Sequence, residues 1–377
     1  MTSVAVAGVG IHAFGRFDAT VTDMGVHAVK AALDEAGLRR GGFQAAFCGA
    51  AYAGVAAGHK VLGALGLTGM PILDVEAGCA SGAAALLLGA QAIRAGQYDT
   101  VLAFGIEKMP KGIIRSSFFE PWREEAGLAA TPSYFALRAQ RLMRESGVTK
   151  QHLADVVVKN RGNGVHNPDA MFHSAVTADE VLASRVVCEP LHLWMLCSPN
   201  EGAAAVVLRK ADQAPAGAPR VAAVALRSHL PGAVLGEATP MAGLVDDDFP
   251  SPTMLAATDA FDQAGIAPGD LDVVECQDTD AARELLSYEE LGLCPKGDAA
   301  KFFEEGATTM AGRLPVNPSG GLLSKGEPLG ASALGQIVEL TRQLRGEAGP
   351  RQVEGARVGL AHVVGRGANA AVSILAS

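Results

Sequence analysis

The sequence predicts a layered α/β protein made of two similar halves, and three observations predict it. Apolar stretches of strand length alternate with helical patterns of 10 to 15 residues, the sign of helices laid over mixed sheets. The stretch AALDEAGLRRGGFQAAFC (31 to 48) matches DAFDQAGIAPGDLDVVEC (259 to 276) without a gap; Ala32/Ala260, Asp34/Asp262, Ala36/Ala264, Gly37/Gly265, Gly41/Gly269 and Cys48/Cys276 coincide. Between the copies, KADQAPAGAPR (210 to 220) is a Pro/Ala/Gly-rich connector that divides the chain into residues 1–212 and 213–377. The 377 residues exceed one ordinary core of roughly 100 to 200, and 49% hydrophobic against 19% charged residues leaves ample material to bury.

Taken in order, MTSVAVAGVG (1 to 10) lacks the basic flank and the length of a secretion leader and reads as a buried first strand. Each copy of the repeat reads as the end of an amphipathic helix, a glycine stop, a turn and a buried strand. The Ala/Gly-rich run 45 to 58 falls short of the roughly 18 residues a membrane span needs and ends at His59 and Lys60. DVEAGCASGAAALLLGAQAIRAGQ (74 to 97) reads as a short strand, a turn holding Cys79, and a long Ala/Leu helix. VLAFG (101 to 105) and GLAHV (359 to 363) echo each other as strands, as do GAAAVVL (202 to 208) and GANAAVSIL (367 to 375). Segment 110 to 195 has no counterpart in the shorter second half and reads as an inserted loop region; within it FFEPW (118 to 122) is either a partner or acyl-binding surface or a buried loop anchor.

A formal net charge of −9 and the lack of any Lys/Arg run argue against a nucleic-acid binder, and no stretch reads as a membrane span. Six cysteines without a CxxC pair imply neither a disulfide framework nor a metal site, so a reducing, cytoplasmic setting is expected. GVGIHA (8 to 13) only half matches a dinucleotide loop, and no HxxxH or GxSxG pattern occurs.

Cys79 is the sharpest chemical feature. At a helix N-terminus the free backbone N–H groups and the helix dipole favour a thiolate, and its small neighbours leave room for a substrate. The ordinary role of an arbitrary cysteine is that of a small buried hydrophobe, and the strand-turn-helix setting counts against that role here. His362 is either a hydrogen-bonded core histidine or a functional one; it stands before Gly365-Arg366-Gly367 where the other half has Phe104.

EAGCASG (76 to 82), NPSGGLLSKGEPLGAS (317 to 332) and LAHVVGRGANAAVSIL (360 to 375) resemble the three signatures of the thiolase superfamily. The branch most resembled is the sterol-carrier or lipid-transfer type, which also resembles this chain at KNRGNGVHNP (159 to 168), LHLWMLCSPNEGAAAVVL (191 to 208) and ECQDTDAARELLSYEELGLCPKG (275 to 297). The likeness covers almost the whole chain in order and spacing. It implies a duplicated α-β-α-β-α fold with two mixed five-stranded sheets, Cys79 as the acyl-accepting nucleophile, and His362 as the acid/base that handles the carbanion. It also implies that Ser319, Gly320, Gly330 and Gly365 meet substrate or CoA. CoA is then a co-substrate, with no bound cofactor and no metal. Implied too are a homodimer and a separate small zinc-ribbon OB-fold subunit.

Two matched positions depart from the branch. Gln277-Asp278 stands where a His-Asp pair is usual, and Gly326-Glu327-Pro328 replaces Gly-His-Pro. Proton transfer from a thiol of pKa about 8.5 to a histidine near 6.5 is uphill by about 2.7 kcal/mol, and to a glutamate near 4.3 by about 5.7 kcal/mol. Glu327 therefore needs burial to serve as a base, and an ionised carboxylate cannot donate to an oxyanion. Gln277, with two amide donors, is the expected substitute donor. The reading is an acyltransferase that cleaves or forms a β-ketoacyl-CoA through acyl-Cys79, with a bulky or aromatic substrate such as benzoylsuccinyl-CoA among the candidates. A retro-aldolase on a CoA-ester side chain and a non-catalytic scaffold subunit are the alternatives.

Overall fold

The computed structural model describes residues 2–38, 42–111, 122, 125, 131–230, 249–365 and 369–377. Its first half carries strands β1 (Val4–Gly15), β2 (Ala45–Gly49), β3 (Ile72–Val75), β4 (Thr100–Lys108) and β7 (Glu201–Lys210). Between β4 and β7, the described part of the inserted region folds as helices α4 (Thr131–Glu145), α5 (Lys150–Gly164) and α6 (Ala178–Ala183) and a hairpin of β5 (Val186–Cys188) with β6 (Leu191–His192). The second half carries β8 (Arg220–Arg227), β9 (Val273–Glu275), β10 (Val358–Gly365) and β11 (Asn369–Ala376).

Strand order is β3-β2-β4-β7-β1-β8-β11-β10-β9. The first five strands join the last four through the single pair Ala5–Arg220. The pairing pattern of β3-β2-β4-β7-β1 is parallel, parallel, antiparallel, antiparallel. From β9 through β10 and β11 to β8 it runs parallel, antiparallel, antiparallel, so the same order recurs one strand short. Five strands were expected in each sheet; among the described residues the second has four. The missing edge strand survives as one parallel bridge, Val274–Val316, in which Val274 N–H donates to Pro315 O at 3.0 Å and Asn317 N–H to Val274 O at 2.8 Å. Pro315 and Pro318 have no N–H to extend it.

Side-chain alternation along the strands builds five layers. On β4, Val101 and Ala103 face a central core with α3 (Ser81–Arg94) and α11 (Ser332–Arg345), whereas Leu102, Phe104 and Ile106 face an outer core with α1 (Val21–Glu35) and α2 (Ala57–Ala64). On β11, Leu375 faces the centre; Ala370, Val372 and Ile374 face the opposite outer layer with α7 (Pro252–Ala264) and α8 (Ala281–Glu290). Strands buried on both faces explain why the sequence shows continuous apolar runs. The two helices of the middle layer lead away from the two loops that matter: α3 from the Cys79 turn, and α11 from the loop holding Glu327.

FFEPW lies outside the described residues except for Trp122, which is 56% exposed. Residues 366–368 of the last signature are likewise outside.

Candidate active site

The chain leaves β3 at Val75 and must reverse into α3 within five residues, and polar side chains fix that turn. Gly78 N–H donates to Glu76 Oε1 (2.7 Å), Ala77 N–H to Ser81 Oγ (2.9 Å), and Ser81 Oγ to Gly78 O (2.6 Å). Cys79 is thereby held just ahead of α3, 8% exposed, in an apolar group with Ala80, Leu329, Ala333 and Val363. The turn also leans on the end of β10: a Cβ on Gly365 would stand 1.9 Å from Ala77 O, so only glycine permits the approach. Gly365 therefore shapes the ground under the nucleophile.

The loop that carries Glu327 is anchored from behind by Asp278. Its buried carboxylate accepts from Leu322 N–H (2.6 Å) and Leu323 N–H (3.1 Å) at the start of α10 (Gly321–Lys325), and from Asn160 Nδ2 (2.8 Å). Burial and the nearby Glu284 charge push its carboxyl well up. Beyond α10, Glu327 N–H donates to Ser198 O (2.9 Å) and Asn200 Nδ2 to Lys325 O (2.8 Å), which lays the loop along residues 198–200.

Glu327 is buried, 5% exposed. Its Oε1 accepts from Gln277 Nε2 at 2.9 Å, and its Oε2 from the Cys197 thiol at 3.4 Å. Gln277 is held in turn by Val364 N–H, which donates to its Oε1 at 2.9 Å. The amide expected to serve an oxyanion is thus engaged in orienting the carboxylate. Burial pushes the Cys197 thiol well up, and the charges of Glu327, Asp278 and Cys79 push it the same way, so these groups share one electrostatic neighbourhood.

His362 is not brought there. Alternation on β10 turns Ala361, Val363 and Gly365 toward α3 and the Cys79 turn, and Leu360, His362 and Val364 toward α7. His362 is fully buried, with Nε2 3.1 Å from Thr253 Oγ1 at the start of α7, and its Nδ1 has no hydrogen-bond partner among the described residues. Burial and the Arg283 charge hold its pKa well below the usual histidine value. The acid/base expectation for His362 thus meets a neutral ring on the far face of the strand.

Ser319, Gly320 and Gly330 each lie in close packing. Ser319 is fully buried, its hydroxyl donating to Glu275 Oε2 at 2.5 Å. Gly320 presses on Gly164, where a Cβ would come within 2.8 Å of the backbone. Gly330 lets α11 start against the first sheet, since a Cβ there would lie 2.5 Å from Ile106 O and 2.6 Å from Gly49 O. Gly330 N–H donates to buried Glu107 (3.1 Å), which also accepts from Ala51 and Tyr52 N–H at 2.9 Å each. These residues shape the loops by close approach.

Cys197 is the residue that sequence reasoning missed. It lies within a quoted stretch of the resemblance, yet a lone cysteine between Leu196 and Ser198 carries no local pattern. Long-range contacts, among them the bridges Leu196–Asp280 and Pro199–Glu327, bring it to the site. Among the described residues no group of three or more His, Cys, Asp or Glu is placed to hold a metal ion, and no helix is long and apolar enough to cross a membrane.

Comparisons with known proteins agree on one family. The model for the thiolase N-terminal domain matches residues 4–212, and that for the thiolase C-terminal domain-like region matches residues 245–377. An acetyl-CoA acetyltransferase from Methanothermobacter thermautotrophicus is 38% identical, over 99% of both chains. The benzoylsuccinyl-CoA thiolase subunit BbsB of Thauera aromatica is 35% identical, over 97% of this chain and 96% of its own. Sterol carrier protein 2 of Bos taurus is 35% identical, over 98% of this chain and 72% of its own. The solved Ltp2-ChsH2(DUF35) aldolase shares the fold, with a TM-score of 0.88, 24% identity, and coverage of 100% of this chain and 98% of that one.

Proposed function

This chain belongs to the thiolase family, and we propose that it is an acyl-CoA C-acyltransferase working through an acyl-Cys79 intermediate. The observation that carries the reading is the buried carboxylate of Glu327, aimed by Gln277 and set in the same charge neighbourhood as a cysteine at a helix N-terminus. Cys79 gives its proton to Glu327 and attacks the keto carbon of a β-ketoacyl-CoA. The Cα–Cβ bond breaks, leaving an acyl thioester on Cys79 and the enolate of the shortened CoA ester. After that enolate is protonated, free CoA takes the acyl group and Cys79 recovers its proton. Burial keeps water from competing for the carboxylate, and Gln277 holds it in one orientation for the transfer.

The substrate is a CoA ester and CoA is the co-substrate, the small acetoacetyl unit being favoured by the acetyl-CoA acetyltransferase relative and a bulkier aromatic unit by the benzoylsuccinyl-CoA thiolase relative. We divide the chain at residues 212 and 213, and assign it to the cytoplasm as a homodimer that works with a small zinc-ribbon OB-fold subunit. The Thauera relative's own name, as a subunit, supports a partner of some kind. His362 is assigned to holding β10 against α7.

Thiolysis tests the reading. With acetoacetyl-CoA and with an aromatic β-ketoacyl-CoA, loss of the β-keto thioester must require free CoA and vanish in Cys79→Ser. Release of a ketone or aldehyde without CoA would instead identify the retro-aldolase, and turnover at full rate in Cys79→Ser would remove Cys79 from the mechanism.

A further inference from the structure

We propose that Cys197 is a second catalytic residue, the thiol that carries a proton between Glu327 and the α-carbon of the departing or attacking CoA ester. The inference rests on the acyltransferase reading and adds a residue to it. Carbon-carbon cleavage by a cysteine nucleophile leaves an enolate that must take a proton at carbon, and synthesis must remove one there. His362, where the family resemblance placed this task, is turned to the far face of β10 and bound to Thr253. Gln277 is an amide and cannot transfer a proton at ordinary pH.

Cys197 meets the geometric needs. Its thiol donates to Glu327 Oε2 at 3.4 Å, and the other oxygen, Oε1, is held by Gln277, so the carboxylate presents Oε2 to the sulfur. The Cys197 backbone is fixed by its N–H to Thr279 O (2.9 Å). Unlike Cys276, which is fully buried behind the loop, the Cys197 residue keeps part of its surface accessible. The thiol is also kept protonated by burial and by the surrounding negative charges, which suits a donor.

The proton count closes. In cleavage, Glu327 receives the Cys79 proton as Cys79 attacks. When the enolate forms, its α-carbon takes the Cys197 S–H proton while the Cys197 sulfur takes the proton from the Glu327 carboxyl. The sulfur is never left as an anion beside a carboxylate, and Glu327 returns ionised for the incoming CoA thiol. Synthesis runs the same transfers backwards.

Deuterium exchange separates this role from the nucleophile's. The full-length protein is incubated with acetyl-CoA in D2O; α-deuteration is followed by mass spectrometry, and acetylation of Cys79 is read on the intact protein. Wild type should show both. Cys197→Ala should lose α-exchange by about 100-fold or more, a far larger loss than any it causes in the acetylation of Cys79. Cys197→Ser, which keeps the size and a donor to Glu327 but a far less acidic hydrogen, should show the same split and guards against a misfolded alanine variant. α-Exchange at the wild-type rate in a folded Cys197→Ser or Cys197→Ala protein overturns the proposal. Absence of acetyl-Cys79 in wild type overturns the acyltransferase reading itself.

Discussion

At the residue scale, the replacement of an expected histidine by Glu327 becomes intelligible through its two partners. A carboxylate acceptor suits both Gln277 Nε2 and the Cys197 thiol. Substituting Glu327→Gln keeps the size but removes the base, so Cys79 acylation should slow by about 100-fold or more while the thermal midpoint changes little; stopped-flow acylation with acetyl-CoA reads it. His362 offers a stability test with a definite sign. Its folded pKa lies below the ordinary value, whereas the unfolded chain binds the proton near pH 6.5. The unfolded state therefore holds more protons below about pH 6.5, and stability is lost as pH falls from there toward the folded pKa, by at most about 1.4 kcal/mol per pH unit. Between pH 7 and 5 the wild-type thermal midpoint should fall more steeply than that of His362→Gln, whose amide cannot titrate; parallel slopes would show that the ring is not held neutral. The alternation of β10 was legible in the sequence, but which face meets Cys79 was not, because that depends on Gly365 approaching Ala77 from 288 positions away.

At the scale of elements, the strand and helix pattern was readable because the central strands are apolar on both faces and each of the two repeat copies ends its helix at a glycine. What could not be read were contacts between loops. The NPSGGLL stretch is tied down by buried Glu275, Asp278 and Glu284, and its Gly320 lets two backbones touch. The reduced edge strand at Val316 follows from Pro315 and Pro318, a signal present in the sequence but masked by the loop motif around it. Gly365→Ala tests the loop argument. Its methyl group would displace the Ala77 carbonyl and with it the Cys79 turn, so acylation should fall by about 100-fold, the scale of a 1 Å misplacement, with far-UV circular dichroism unchanged. Acylation at the wild-type rate would show that the turn does not depend on this contact.

At the scale of the molecule, the two halves repeat one strand order, and the core between them belongs to both. Val4, Val206 and Leu208 of the first half share one apolar cluster with Val273, Leu334, Ile337 and Leu375 of the second, while among the described residues the sheets pair edge to edge at Ala5–Arg220. The offset match in the sequence announced the repetition; it gave no sign that α3 and α11 would be buried between sheets from both copies. A chain split within the connector at Ala216 should therefore yield two fragments that fold only when co-expressed, measured by co-purification and recovered melting. Independent, cooperative melting of fragment 1–215 alone would contradict the shared core.

The central claim is that Cys79 accepts the acyl group with Glu327 as its base. Intact-protein mass spectrometry after brief exposure to acetyl-CoA, followed by peptide mapping, tests it most directly. The account predicts one acetyl group per chain, located on Cys79, absent in Cys79→Ser and strongly slowed in Glu327→Gln. An unmodified Cys79 peptide, or an acetyl group resident on another cysteine, would contradict it.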